Sequence, residues 1–276
     1  MKKGEKKLGT RSWILELVRK GLSKSKLSQV TIFIIIALVL IGLVIIFLFF
    51  RDIVPPVLGG TRAEINPSQY MESCLEENLK EAVDKISLQG GSLSPSHYVL
   101  YDNSRIEYLC YTNEYHVLCV VQQPLLVQHI ETEIENSIDS KARECLNSMK
   151  SNYENSGYQV NLRPGKINVE LIPKRILINF NNSLTLTKEG SKTYDSIKVV
   201  LNNNLYELVS IANSILRWET NYGDAETTTY MDYYPDLKVE KKKQSEGSTI
   251  YILTDRNNLN KFQFASRSVA WPPGYG

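Results

Sequence analysis

Histidine is scarce in this 276-residue chain, which has only His97, His116 and His129. The recognisable catalytic signatures are missing as well. There is no G-x-G-x-x-G, no G-x-x-x-x-G-K-[ST], no G-x-S-x-G and no H-E-x-x-H, which removes the common dinucleotide, P-loop, nucleophile-elbow and zincin chemistries. The four cysteines follow none of the paired C-x-x-C spacings that hold structural zinc. With 15 glycines and 10 prolines the chain is neither fibrous nor of low complexity, and no internal repeat is evident. Charge is absent from Val30 to Phe50, a gap of twenty-one positions, and this gap governs the reading of the rest.

As a helix that run would be about 31 Å long, which matches a hydrocarbon core of about 30 Å. It is too long for an ordinary secretory core, and no small-x-small site follows before Arg51 and Asp52. A single N-terminal transmembrane helix over 29–51 is therefore predicted, preceded by a basic leader over 1–28 and followed by a linker over 52–65. Residues 1–51 carry ten basic and two acidic side chains, a net of +8, which leaves −6 for the remainder of a chain whose formal charge is +2. The positive-inside bias puts the N-terminus in the cytoplasm and the larger part outside the cell. The basic leader suits anionic inner-leaflet lipid, and the acidic remainder argues against a nucleic-acid partner. Trp13, Ile14, Leu17, Val18 and Leu22 recur at helical spacing, which suits either a short helix on the inner membrane face or a disordered leader with a few hydrophobes.

The stretch Lys24-Ser25-Lys26-Leu27-Ser28-Gln29, running into the apolar helix to Phe50, resembles the class III signal peptides of archaeal type IV pilin-like proteins. That resemblance implies cleavage between Ser28 and Gln29 and a mature N-terminus able to bundle with copies of itself. Phe33 departs from the pattern, since many pilins carry at the fifth mature position a Glu that helps subunit docking. The remainder looks like the Cys-containing α+β domains of uncharacterised archaeal single-pass membrane proteins.

Residues 66–270 read as an extracytoplasmic α+β domain with an antiparallel sheet and about three helices, a candidate sub-boundary near 150–157, and a tail over 271–276. Asn66 is a candidate N-cap, Pro67 a first helical residue, and Met71, Cys74, Leu75, Leu79, Ala82, Val83 and Ile86 follow steps of three and four up to Gly90-Gly91. Strands are expected at 98–101, 106–111 and 115–121, and a long helix after Pro124. Val160/Leu162, Ile167/Val169/Leu171 and Ile176/Ile178/Phe180 alternate with period two and read as an antiparallel meander, with 184–186 and 197–201 as candidate additions. A further helix is expected from Leu205 to Trp218, and three tail strands after it.

All four cysteines fall outside residues 1–51, and an even count in an oxidising compartment points to disulfides. Cys110 and Cys119 flank the Asn113–His116 turn, and Cys74 and Cys145 lie on the core stripes of two predicted helices, so the favoured pairing is Cys110–Cys119 with Cys74–Cys145. Buried free thiols are the competing reading.

Glu131, Glu133 and Glu135 stand at spacings that point to different sides of a helix and read as a solvated face. Asp255 to Asn260 carries oxygen donors as calcium loops do, yet lacks their acidic density and reads as a turn. Tyr230, Asp232, Tyr233, Tyr234 and Asp236 interleave amphipathic rings with fixed acceptors, the combination of interfaces and sugar-binding surfaces, or else pack over a sheet edge. Asn181 opens the one N-x-[ST] sequon and is a candidate glycan acceptor.

The function expected is that of a non-enzymatic, membrane-anchored surface protein for contact, adhesion or envelope structure, single-pass and extracellular over its larger part. No catalytic residue, metal or cofactor is assigned. The expected partners are the bilayer and other surface proteins, glycans or copies of the chain. A pilin-like subunit and an extracytoplasmic hydrolase or ligand-binding domain are the alternatives.

Overall fold

The computed structural model describes residues 34–42 and 66–272, in two units, Met1–Glu64 and Ile65–Gly276. In the first unit a helix covers 34–42. Among the described residues no helix is long and apolar enough to cross a membrane, which corrects the single N-terminal transmembrane helix expected above. Ser28, Gln29, the leader and the linker lie outside the described residues.

The second unit has the element order α1 (Pro67–Leu88), β1 (Tyr98–Tyr101), β2 (Ser104–Tyr111), β3 (Val120–Val121), α2 (Leu126–Asn155), β4 (Gln159–Arg163), β5 (Ile167–Ile172), β6 (Arg175–Phe180), β7 (Ser183–Thr187), β8 (Ser191–Tyr194) and β9 (Ile197–Asn202). It continues with α3 (Leu205–Tyr222), α4 (Thr228–Tyr233), β10 (Leu237–Lys243), β11 (Thr249–Asp255) and β12 (Lys261–Arg267). This is an α+β arrangement. The described residues hold five helices, 34–42 and four in the second unit, where about three were expected in the latter, the additional one being α4.

Helix α1 starts as its residues dictate. The Asn66 side chain accepts a hydrogen bond from the Ser68 N–H at 3.0 Å, and Pro67 occupies a first-turn position whose N–H has no helical partner. Its stripe Met71, Leu75, Leu79, Val83 and Ile86 is buried against that of α2, formed by Ile130, Ile134, Ile138 and Met149. The Cys74–Cys145 disulfide ties the two helices together. α1 also packs on β9 and β12, α2 on β4 and β5, and α3 on β12, β11 and β2. One core cluster thereby joins residues such as Leu109, Val169, Leu184 and Phe262, which belong to three different sheets.

The main sheet has the order β1-β2-β12-β11-β10, with β3 also paired to β2, and its one parallel contact joins β12 to β2. β2 and β12 are buried over nearly their whole length, as central strands covered on both faces are. The expected meander forms only in part: β5 and β6 pair antiparallel and β9 joins them, but β4 does not pair with β5. β4 pairs with β7 in a sheet β4-β7-β8, whereas β5 pairs with β6 in a sheet β5-β6-β9. The cause lies in the β4–β5 turn, where the N–H of Gly165 donates to the buried Asn182 side chain at 2.7 Å and the chain passes directly against the backbone of Asn181. A Cβ at Gly165 would lie 1.7 Å from the Asn181 carbonyl oxygen. Gly165→Ala is expected to destabilise the domain by about 1–3 kcal/mol, the range for overpacking against a neighbour that cannot yield. A shift in the urea midpoint at constant slope checks it.

The strand expected over 115–121 shrinks to Val120–Val121. After β2 the chain lies instead along the C-terminal segment: Thr112 N–H donates to the Arg267 carbonyl, His116 N–H to Ala270, and Val269 N–H to Val117. Those partners come from more than 140 residues away, so no local pattern announced them. Cys110 and Cys119 are nonetheless bonded, with Cα atoms 5.4 Å apart.

Candidate functional site

Of the five residues read as a contact surface, the structure divides the roles. Tyr230 is half-buried, packs on the core, and its hydroxyl lies 2.7 Å from the Ser214 hydroxyl, while Asp232 and Tyr233 stand exposed on α4. Tyr234 and Asp236, just past the helix, line a cleft of about 670 Å³. This volume falls in the range of small-ligand sites.

The cleft draws on four further segments. The end of β9 and the turn after it contribute Asn202, Asn203 and Asn204, and the first turns of α3 contribute Tyr206, Glu207 and Ile211. Asp255, Asn257 and Asn258 come from the turn after β11, and Lys174 from the β5–β6 turn. The Asn run is positioned by the helix it introduces, since Asn203 accepts from the Leu205 N–H at 2.8 Å at the start of α3.

Several of these groups are held rigidly. Asn204 donates to Asp255 Oδ2 at 2.7 Å and accepts from the Asn260 and Asn258 amides at 2.7 and 3.3 Å. Asp255 Oδ1 accepts the backbone N–H groups of Asn257 and Asn258. The oxygen donors of 255–260 therefore serve the turn itself, and among the described residues no group of three His, Cys, Asp or Glu side chains is placed to hold a metal ion. Glu207 Oε1 accepts the N–H of Lys174 at 2.9 Å and fixes that turn beside the cleft, whereas Oε2 is buried without a partner.

Two other polar clusters were invisible in the sequence. In the first, the Ser92 hydroxyl donates to the carboxylate of Glu107 and lies 2.7 Å from Nε2 of His129. Burial raises the Glu107 carboxyl above its ordinary range; the Ser92 hydrogen bond and the charge of His129 oppose that shift, and Glu133 adds to it. Ser92 is only 5% exposed, and its hydroxyl lies between the Glu107 carboxyl and the His129 ring. The cluster ties the loop after α1 to β2 and α2. The second cluster lies beneath the main sheet, where Glu219 on α3 accepts from the hydroxyls of Tyr251 and Ser266.

The carboxylates of α2 do point different ways, but they are not a solvated face. Glu131 accepts the Leu171 N–H and Glu133 the Leu93 N–H, each at 2.8 Å, and burial raises the Glu131 carboxyl. His97 is exposed among the rings of Tyr108 and Tyr111, and His116 lies edge-on to Trp271. Asn181 is exposed between β6 and β7. Besides Tyr234, Asp236 and the Asp255–Asn260 loop, the run Asn202-Asn203-Asn204, between a strand and a helix, was a sequence signal that could have marked the cleft. The chain matches no protein-family model, no curated protein and no solved structure.

Proposed function

We propose that the chain is a non-enzymatic, membrane-anchored cell-surface protein whose disulfide-braced domain works outside the cytoplasm and makes contacts through the cleft beside Tyr234. The observation that carries this reading is the pairing of all four cysteines in Cys74–Cys145 and Cys110–Cys119. Such bonds persist in oxidising compartments and are rare where glutathione and thioredoxin keep thiols reduced. The basic leader over 1–28 supports attachment to an anionic membrane surface, and the confinement of all four cysteines to residues beyond 51 supports an oxidising location for the larger part. A contact role is favoured over catalysis because Ser92, the hydroxyl beside Glu107 and His129, is buried away from any substrate at 5% exposure.

Protease added to intact cells is expected to remove the epitope of a C-terminally tagged chain, with maleimide labelling of the cysteines only after reduction. A tagged chain that survives the protease, fractionates with cytosol and carries four alkylatable thiols would overturn the proposal.

A further inference from the structure

We infer that the cleft beside Tyr234 binds a neutral oligosaccharide, an inference that deepens the surface-contact reading by naming what is contacted. The inner wall is apolar, built from the rings of Tyr206 and Tyr234 together with Ile211, Leu208 and Leu237. The polar groups around it are mostly amides and hydroxyls: exposed Asn202 and Asn257, and the phenol oxygens of the two tyrosines. None of these side-chain groups is engaged by another described residue, so each reaches the cleft with its hydrogen-bonding capacity unspent. A side-chain amide and a phenol both donate and accept. A sugar hydroxyl also does both, while the C–H face of a pyranose is apolar and suits a tyrosine ring. The cleft thus matches sugar chemistry on its two kinds of surface at once.

Charge narrows the class further. Glu207, Asp236 and Asp255 face Lys174 as the single cation of the lining, so the net negative field disfavours phosphate, sulfate and uronic or sialic acids. A cationic ligand is also poorly served. Asp255 already accepts from Asn204 and two backbone N–H groups, Glu207 Oε1 accepts the Lys174 N–H, and Glu207 Oε2 is buried, which leaves Asp236 as the one carboxylate of the lining without such partners. A neutral ligand uses the amides and rings without needing a second charge. The Asn204–Asp255–Asn258–Asn260 network holds the turn that presents Asn257 before any ligand arrives, which lowers the ordering cost of binding.

The test is titration calorimetry of the purified full-length protein with maltotriose, mannotriose and chitotriose, with sialyllactose as the anionic and trilysine as the cationic control. Binding of at least one neutral trisaccharide below about 10 mM is expected, weakened about tenfold by Tyr234→Ala and several-fold by Asn257→Ala, with the urea midpoints unchanged. The proposal is overturned if no neutral trisaccharide binds in that range, if only a charged control binds, or if binding survives both substitutions in folded protein. Because purified protein is used, a failure here leaves the cellular location to be decided by the protease experiment, and the two readings fail separately.

Discussion

Removing the Cys74–Cys145 bond, as Cys74→Ala with Cys145→Ala, is expected to lower the unfolding free energy of the domain by about 4 kcal/mol. The two residues are 71 apart in sequence, with Cα atoms separated by 6.0 Å in the fold. Cross-linking positions that far apart withdraws a large loop-closure entropy from the unfolded chain, whereas Cys110–Cys119, with a separation of nine, withdraws far less, about 2.6 kcal/mol. The longer bond also joins the two helices on which β4, β5, β9 and β12 rest, so its loss loosens the scaffold of all three sheets. Against a typical net stability of about 5–15 kcal/mol, the loss is large enough to populate unfolded chain at physiological temperature. Urea denaturation of the two double variants under non-reducing conditions checks the ranking. Equal costs for the two bonds would show that loop length is not what sets their worth here.

Glu219→Ala is expected to cost about 2–5 kcal/mol, because it leaves the buried hydroxyls of Tyr251 and Ser266 without their acceptor. Glu219 is 2% exposed, and burial raises its carboxyl above the ordinary value of 4.5; the hydrogen bonds from Tyr251 and Ser266 oppose the shift, Asp224 adds to it and Lys241 opposes it. Burial and the neighbouring carboxylate also push the Tyr251 hydroxyl well above its usual range, so it remains a donor throughout.

The sign of the pH dependence follows from these shifts. Because the folded state holds the Glu219 proton more tightly than the unfolded chain, the protonated carboxyl contributes stability below pH 4.5, and that contribution is lost as pH rises through the higher folded value. Glu107 and Glu131 are raised by burial and act in the same direction. Glu219→Gln keeps the shape of the group and cannot ionise, so its unfolding free energy is expected to vary less with pH across this window than that of the unaltered protein. Denaturant midpoints measured at several pH values decide it; a steeper dependence in the Gln variant would contradict the assignment. Comparing Ala with Gln also separates the loss of an acceptor from the loss of a charge.

The parts legible in advance were those with local causes. The Asn66 cap, Pro67 and the three-and-four spacing of Met71, Leu75 and Leu79 all act within a few residues of one another, so the start and buried face of α1 could be read directly. The same holds for the stripe of α2. Strand alternation showed which face of β4, β5 and β6 is buried but not which strand lies beside which, since a period of two is satisfied by any neighbour. The pairing of β4 with β7 depends on a contact between Gly165 and Asn181–Asn182 that carries no signature in either segment. The uncharged run over 30–50 was read by length alone, and among the described residues no helix is long and apolar enough to cross a membrane.

The sequence by itself determined the α+β composition, the start of α1 and the inward stripes of α1 and α2, the confinement of cysteine to the acidic part of the chain and the concentration of tyrosine and aspartate near 230–236, because each is a matter of residue type and short-range spacing. Only the tertiary structure decided the parallel join of β12 to β2, the burial of Glu107 and Glu219, and the cleft, whose walls come from segments as distant as Lys174 and Asn258. Groups separated by so much chain meet only after the core has closed, when packing of the whole domain selects one among many arrangements that local preferences leave equally acceptable.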